Sequence, residues 1–185
     1  LIGHNGAGKT TFLRLISVIY TLSKGTIQRR SKIYPMIHKS LLTSEELSGI
    51  KAMKAHYLLI NQNLKGFEKF SKNVVNFSGL GEYIYLPLKT YSQGMLSRLQ
   101  FAILTGCSHE CLALDEGFAT GDIDFQKKAY NRLTDFISNS GTLFLASHSN
   151  ELLLRFCKRG LVFEKGAIAF DGPIKKALTF YEEKI

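Results

Sequence analysis

Eight residues near the start of the chain, Gly3-His4-Asn5-Gly6-Ala7-Gly8-Lys9-Thr10, satisfy the spacing G-x-x-x-x-G-K-[ST]. Glycines at these positions let the backbone fold back so that successive N–H groups of Asn5, Gly6, Ala7 and Gly8 point at one oxygen-rich ligand. A helix starting near Lys9 adds the positive end of its dipole. Lys9 is a compact cation able to reach the β and γ phosphates of a bound triphosphate. The Thr10 hydroxyl can ligate Mg2+, and Thr11 supplies a further donor. An incidental glycine-rich turn would match the same spacing. The apolar strand end before the motif and the apolar helix after it favour a phosphate cradle.

A second constellation lies about a hundred residues on. Cys111, Leu112, Ala113 and Leu114 form an apolar strand that ends in two carboxylates, Asp115 and Glu116. A buried strand carries Asp115 to the carboxyl edge of an open α/β sheet, where ligands bind. There Asp115 can hold Mg2+ through a water, because that ion keeps part of its hydration shell. Glu116 follows at once, so it points the other way and can orient and polarise an attacking water. An acidic helix cap is the plainer reading of such a pair alone; the cradle upstream outweighs it. His148 ends another apolar strand, Leu143 to Ser147, at the same edge, where its imidazole can contact a γ-phosphate. Ser92 and Gly94 open another helix with a serine cap and a glycine, a second phosphate-binding end. It lies far along the chain from Lys9, on a helical lobe, and so is placed to serve a partner's site.

Strands and helices must alternate to position these groups. Leu1 and Ile2 read as the end of a buried strand, and residues 9–22 as a helix with Phe12, Leu13, Leu15, Ile16 and Ile19 at helical spacing. Residues 25–36 read as short strands broken by the basic run Arg29, Arg30, Lys32. The middle third predicts amphipathic helices over 45–61 and 65–79, the second with Phe67, Phe70, Val74 and Phe77 on one face. A loop with Pro87 leads to a helix over 92–105. Alternation then resumes: strand 111–115, helix 123–139, strand 142–147, helix 149–157, a hairpin over 160–171 turning at Lys165 and Gly166, and a last helix over 174–184. The pattern is an α/β core, residues 1–37 and 108–185, interrupted by a helical insertion of about 70 residues, 38–107.

Composition bounds the rest. Of 185 residues 45% are apolar and 21% charged, an ordinary globular balance that excludes disordered, collagenous and disulfide-scaffold classes. Three sparse cysteines suit a reduced compartment, and a metal site at Cys107, His109 and Cys111 is less economical than buried thiols. No apolar run approaches the ~20 residues of a spanning helix, and no signal pattern opens the chain. The net charge of +9 favours an anionic partner: a nucleotide, an acidic membrane face or nucleic acid. No base-stacking aromatic motif accompanies the basic run, so nucleic acid is not expected.

These motifs together resemble the nucleotide-binding subunits of ABC transporters. Residues 3–10 match the family's Walker A loop, 111–116 its Walker B strand, and His148 its switch histidine. Residues 91–95 match its L-S-G-G-Q signature at Ser92 and Gly94, with Tyr91, Gln93 and Met95 differing. The stretch from Leu88 through Ser92 to Ala102, the run Ala119-Thr120-Gly121-Asp122 and the Ser147-His148-Ser149 triplet look like the subfamily that exports polysaccharides: O-antigen, capsule and teichoic acid. The resemblance implies a P-loop NTPase, RecA-like core carrying an inserted helical subdomain with the signature. It implies ATP and Mg2+ as ligands, and a head-to-tail homodimer with each ATP between the cradle of one copy and Ser92 and Gly94 of the other. It also implies an integral membrane permease as partner and a peripheral place on the cytoplasmic face of the cell membrane. It implies catalytic roles for Glu116 and His148, and Thr10 and Asp115 as the metal-holding residues. The family's linking-loop Gln has no match in residues 33–53, where His38 and Ser44 both remain candidates. Opening at Leu1, the chain reads as a fragment whose first strands and adenine-stacking aromatic lie upstream, with weak ATP affinity as the expectation. A soluble ABC protein acting on ribosomes or DNA is the alternative. A small GTPase lacks its N-K-x-D motif here, and a small-substrate kinase has no use for Ser92 and Gly94 on a remote helix.

Overall fold

The computed structural model describes residues 1–36, 44–107, 109–115, 123–139 and 141–184. In chain order its elements are α1 (Lys9–Ile16), β1 (Ile33–Met36), α2 (Gly49–Asn61), α3 (Phe67–Ser78) and α4 (Gln93–Gly106). After them come β2 (Cys111–Asp115), α5 (Ile123–Ser138), β3 (Thr142–Ala146), α6 (Asn150–Phe156), β4 (Arg159–Glu164), β5 (Ala167–Pro173) and α7 (Ile174–Glu182). Two short 3-10 turns, Gly81–Tyr85 and Leu88–Thr90, lead into α4. The chain divides into two compact units, one of residues 1–37, 110–116 and 137–185, the other of residues 38–109 and 117–136.

In the first unit β1, β2 and β3 form a parallel sheet with β2 central, Cys111 standing opposite Ile33 on one side and Thr142 on the other. Cys111 to Leu114 are no more than 2% exposed, as an uninterrupted apolar run in a parallel sheet requires. Beside the sheet, β4 and β5 form an antiparallel hairpin. Lys165 and Gly166 both take positive φ, 47° and 82°, the conformation of a tight two-residue turn. Ile2 joins the hairpin by a parallel bridge to Val162. The core gathers Leu13 and Ile16 from α1, Ala113 and Ala146 from the sheet and Phe163 from the hairpin.

In the second unit α2, α3 and α4 enclose Met53, Phe70, Val74, Ile84, Leu99 and Ile103. Of the three phenylalanines expected in this core, Phe70 is buried while Phe67 and Phe77 are partly so. Phe77 stacks on Phe101 and meets Phe125 edge-on, with the Arg132 guanidinium 3.7 Å over its ring.

The alternation of strand and helix follows the sequence reading, with three corrections. The first helix ends at Ile16 rather than at residue 22. Val18 turns to φ 61°, and the Arg29 side chain donates to the carbonyls of Ile16 and Leu15 at 2.8 and 2.7 Å, satisfying the last turn. Arg29 is therefore a helix cap, and residues 25–32 form no strand; only Ile33–Met36 does. The next helix begins at Gly49, not at 45, because the preceding segment is tied elsewhere: the Leu88 and Lys89 N–H groups donate to the Leu47 and Glu45 carbonyls, both at 2.9 Å.

Candidate functional site

The cradle is shaped by its floor. Gly3 sits at φ 147°, and a Cβ there would stand 2.6 Å from the Phe163 carbonyl oxygen, so the strand end can pass over the hairpin only as glycine. The Gly166 N–H donates to the Ala7 carbonyl at 3.0 Å, and Phe12 packs its ring against Phe163. Gly8, at φ 110°, turns the chain into α1. The first-turn N–H groups of a helix have no acceptor within it, so those of α1 are open to a ligand. The loop and helix start bound a cavity of about 150 Å³, lined by residues 5–11 and Asp115.

Of the side chains named from the sequence, Lys9, Thr10, Thr11 and Asp115 line it. Lys9 is buried, and its ammonium donates to the carbonyls of Gly3 and His4 at 2.5 and 3.1 Å. The Thr10 hydroxyl donates to Asp115 Oδ2 at 2.6 Å, joining the two metal candidates. His148 Nε2 lies 3.0 Å from the Asn5 side-chain oxygen. Thr11 lines the same cavity. Glu116, the run from Ala119 to Asp122, and His38 lie outside the described residues.

Ser92 and Gly94 belong to the other unit. Ser92 is the N-cap of α4, its hydroxyl accepting from the Met95 N–H at 3.2 Å. Among the described residues nothing crowds Gly94: a Cβ there would meet the Ser92 hydroxyl at 3.8 Å. Tyr91, a departure from the signature pattern, is buried and donates its hydroxyl to the Tyr83 carbonyl at 2.6 Å, anchoring the loop before the serine cap. Burial pushes its phenol above the ordinary range.

Sequence reasoning missed the support given by Phe163 and Gly166; the hairpin turn was legible, its proximity to the cradle was not. It also missed the Asn5–His148 pairing, because an Asn inside a loop motif reads only as spacing. Cys107 and Cys111 are thiols whose burial raises each to about 11.

A family model for the ABC transporter matches residues 1–119. The chain belongs to the ABC transporter family. Relatives within that family include the O-antigen export system ATP-binding protein RfbE of Yersinia enterocolitica, 38% identical over 168 residues, which are 91% of this chain and 70% of that one. The teichoic acids export ATP-binding protein TagH of Bacillus anthracis is 31% identical over 183 residues, 99% of this chain but 33% of that protein. A solved structure described as the ATP binding subunit of an ABC transporter superposes with a TM-score of 0.84, covering 98% of this chain and 80% of its own, at 16% identity. That likeness establishes the α/β P-loop NTPase fold. Membership of the ABC family carries nucleotide binding with it. Among the described residues no helix is long and apolar enough to cross a membrane.

Proposed function

We propose that this chain is the ATP-hydrolysing subunit of an ABC exporter of a cell-surface polysaccharide of the O-antigen, capsule or teichoic acid type. The observation that carries the reading is the convergence of Lys9, Thr10 and Asp115 on one glycine-lined cavity. Residues 1–37 and 108–185 act as the nucleotide core, and 38–107 as the helical subdomain that presents the signature. Two copies pair head to tail, so that Ser92 and Gly94 of one close over the nucleotide held by the other. The pair works against an integral membrane permease at the cytoplasmic face of the cell membrane. The names of the export-system relatives favour this over a soluble ABC protein acting on ribosomes or DNA.

The residues present fit a magnesium ion: a hydroxyl and a carboxylate, both hard oxygen donors, already meet at 2.6 Å. Thr10 and Asp115 would hold it, and it would supply positive charge to offset that of the bound phosphates. The chain's own groups do the rest. The N–H groups of residues 5–8 and the open end of α1 grip the phosphates. Lys9 exchanges its two loop carbonyls for phosphate oxygens. Glu116, next after the metal carboxylate, orients the water that attacks the γ-phosphorus and accepts its proton, while the bond from that phosphorus to the β–γ bridging oxygen breaks and ADP leaves. His148 donates to the γ-phosphate.

Deletion of the gene in cells that carry it tests the reading. Surface polysaccharide should vanish and return with the wild-type chain but not with Lys9→Ala. Unchanged polysaccharide in the deletion strain, or sedimentation of the chain with ribosomes, would overturn it.

A further inference from the structure

His148 stands just past β3, exposed, with Nε2 3.0 Å from Asn5 Oδ1. An amide oxygen only accepts, so Nε2 carries the hydrogen in this pairing. The two residues are 143 positions apart. Asn5 lies between Gly3 and Gly6, whose φ angles of 147° and 81° fix the course of the loop. His148 is followed by Ser149, whose N–H donates to the Ser147 hydroxyl at 3.0 Å and whose own hydroxyl caps α6 through the Leu152 N–H at 3.3 Å. The backbone thus sets where the imidazole hangs. The bond to Asn5 engages the ring at Nε2.

We propose that Asn5 is a positioning residue, whose side-chain carbonyl holds the His148 ring with Nε2–H directed at the cradle so that the imidazole meets a γ-phosphate oxygen as a donor. An arriving phosphate oxygen takes the place of the amide oxygen at the same N–H, and the ring keeps its orientation. The functional half of this inference rests on the ATPase reading; the contact itself does not. The competing account is that Asn5 touches the phosphate on its own and its bond to His148 is incidental. The two accounts differ in coupling. A residue that acts through another loses its effect once the other is gone.

Two measurements on the full chain decide between them. The first is ring relaxation of His148 in nucleotide-free protein, with its signals identified by their loss in His148→Gln. The expected order parameter is about 0.85 in the wild type and in Asn5→Asp, which keeps the acceptor, and below about 0.6 in Asn5→Leu, which removes it. Asn5→Ala serves the same comparison should Asn5→Leu not fold. The second is turnover: Asn5→Leu should lower kcat about tenfold in the wild-type background and less than about twofold in His148→Ala. A His148 ring as mobile in the wild type as in Asn5→Leu, or losses that multiply in the double variant, would overturn the proposal. A wild-type chain that binds ATP without hydrolysing it, alone and with its permease, would instead remove the ATPase reading and leave the ring measurement standing.

Discussion

The Thr10 hydroxyl and the Asp115 carboxylate meet at 2.6 Å across 105 positions of sequence, tying the start of α1 to the end of β2. The two oxygens proposed to hold the metal are thereby brought together by the fold itself. Asp115→Asn keeps the shape and removes the charge. ATP turnover should fall about 10²-fold, with a matching rise in the Mg2+ concentration needed for half-maximal rate. An unchanged Mg2+ titration at fixed ATP would take Asp115 out of the site.

Glu116→Gln preserves the side chain's size and its ability to hold a water while abolishing its basicity. Hydrolysis should drop by roughly 10²–10³, and the chain should accumulate as an ATP-bound dimer, visible as a doubled mass by light scattering with ATP and Mg2+. Normal turnover in this variant would assign the water to another group.

Ser92→Ala removes the hydroxyl that caps α4. The cap is worth about 1 kcal/mol of stability. If Ser92 also closes over the partner copy's nucleotide, the kinetic loss will be larger than the cap explains. The expected result is ATP affinity of the single subunit within about twofold of wild type, with turnover down about 10²-fold. Equal losses in binding and turnover would place Ser92 in its own chain's site instead.

His56 makes a prediction about stability. Its imidazole is buried in α2, Nε2 has no hydrogen-bond partner among the described residues, and burial lowers it from 6.5 to about 4. Between those values the unfolded chain takes up a proton that the folded one refuses. The stabilisation is therefore complete above the unfolded value and is lost as pH falls toward 4. Urea unfolding should show a loss of about 2 kcal/mol between pH 7 and pH 5, and His56→Leu should flatten that slope. A slope of equal size in the variant would place the titrating group elsewhere.

What was legible in the sequence follows from the range of the forces involved. The cradle could be read because its glycines, lysine and threonine answer a local requirement for phosphate-facing N–H groups. The β2 strand could be read because a parallel sheet buries both faces. The end of α1 could not, because the Arg29 guanidinium that satisfies its carbonyls comes from 13 positions beyond Ile16 in a segment whose charge pattern reads as a solvated run. Tyr91 showed the same limit. By spacing it is a mismatch to the family signature, whereas in the folded chain it is a packing residue whose hydroxyl reaches Tyr83. Side chains that act across the fold leave no periodic trace along it.

The hairpin under the cradle makes assembly of the site a late event. Ile2 exchanges hydrogen bonds with Leu161 and Phe163, Gly3 passes over Phe163, and Ala7 accepts from Gly166. During synthesis the glycine motif leaves the ribosome early, and the surface that moulds it emerges some 150 residues afterwards, about ten seconds or more later at ordinary elongation rates. A polypeptide cut short before β4 keeps every letter of the motif but lacks the hairpin that floors it.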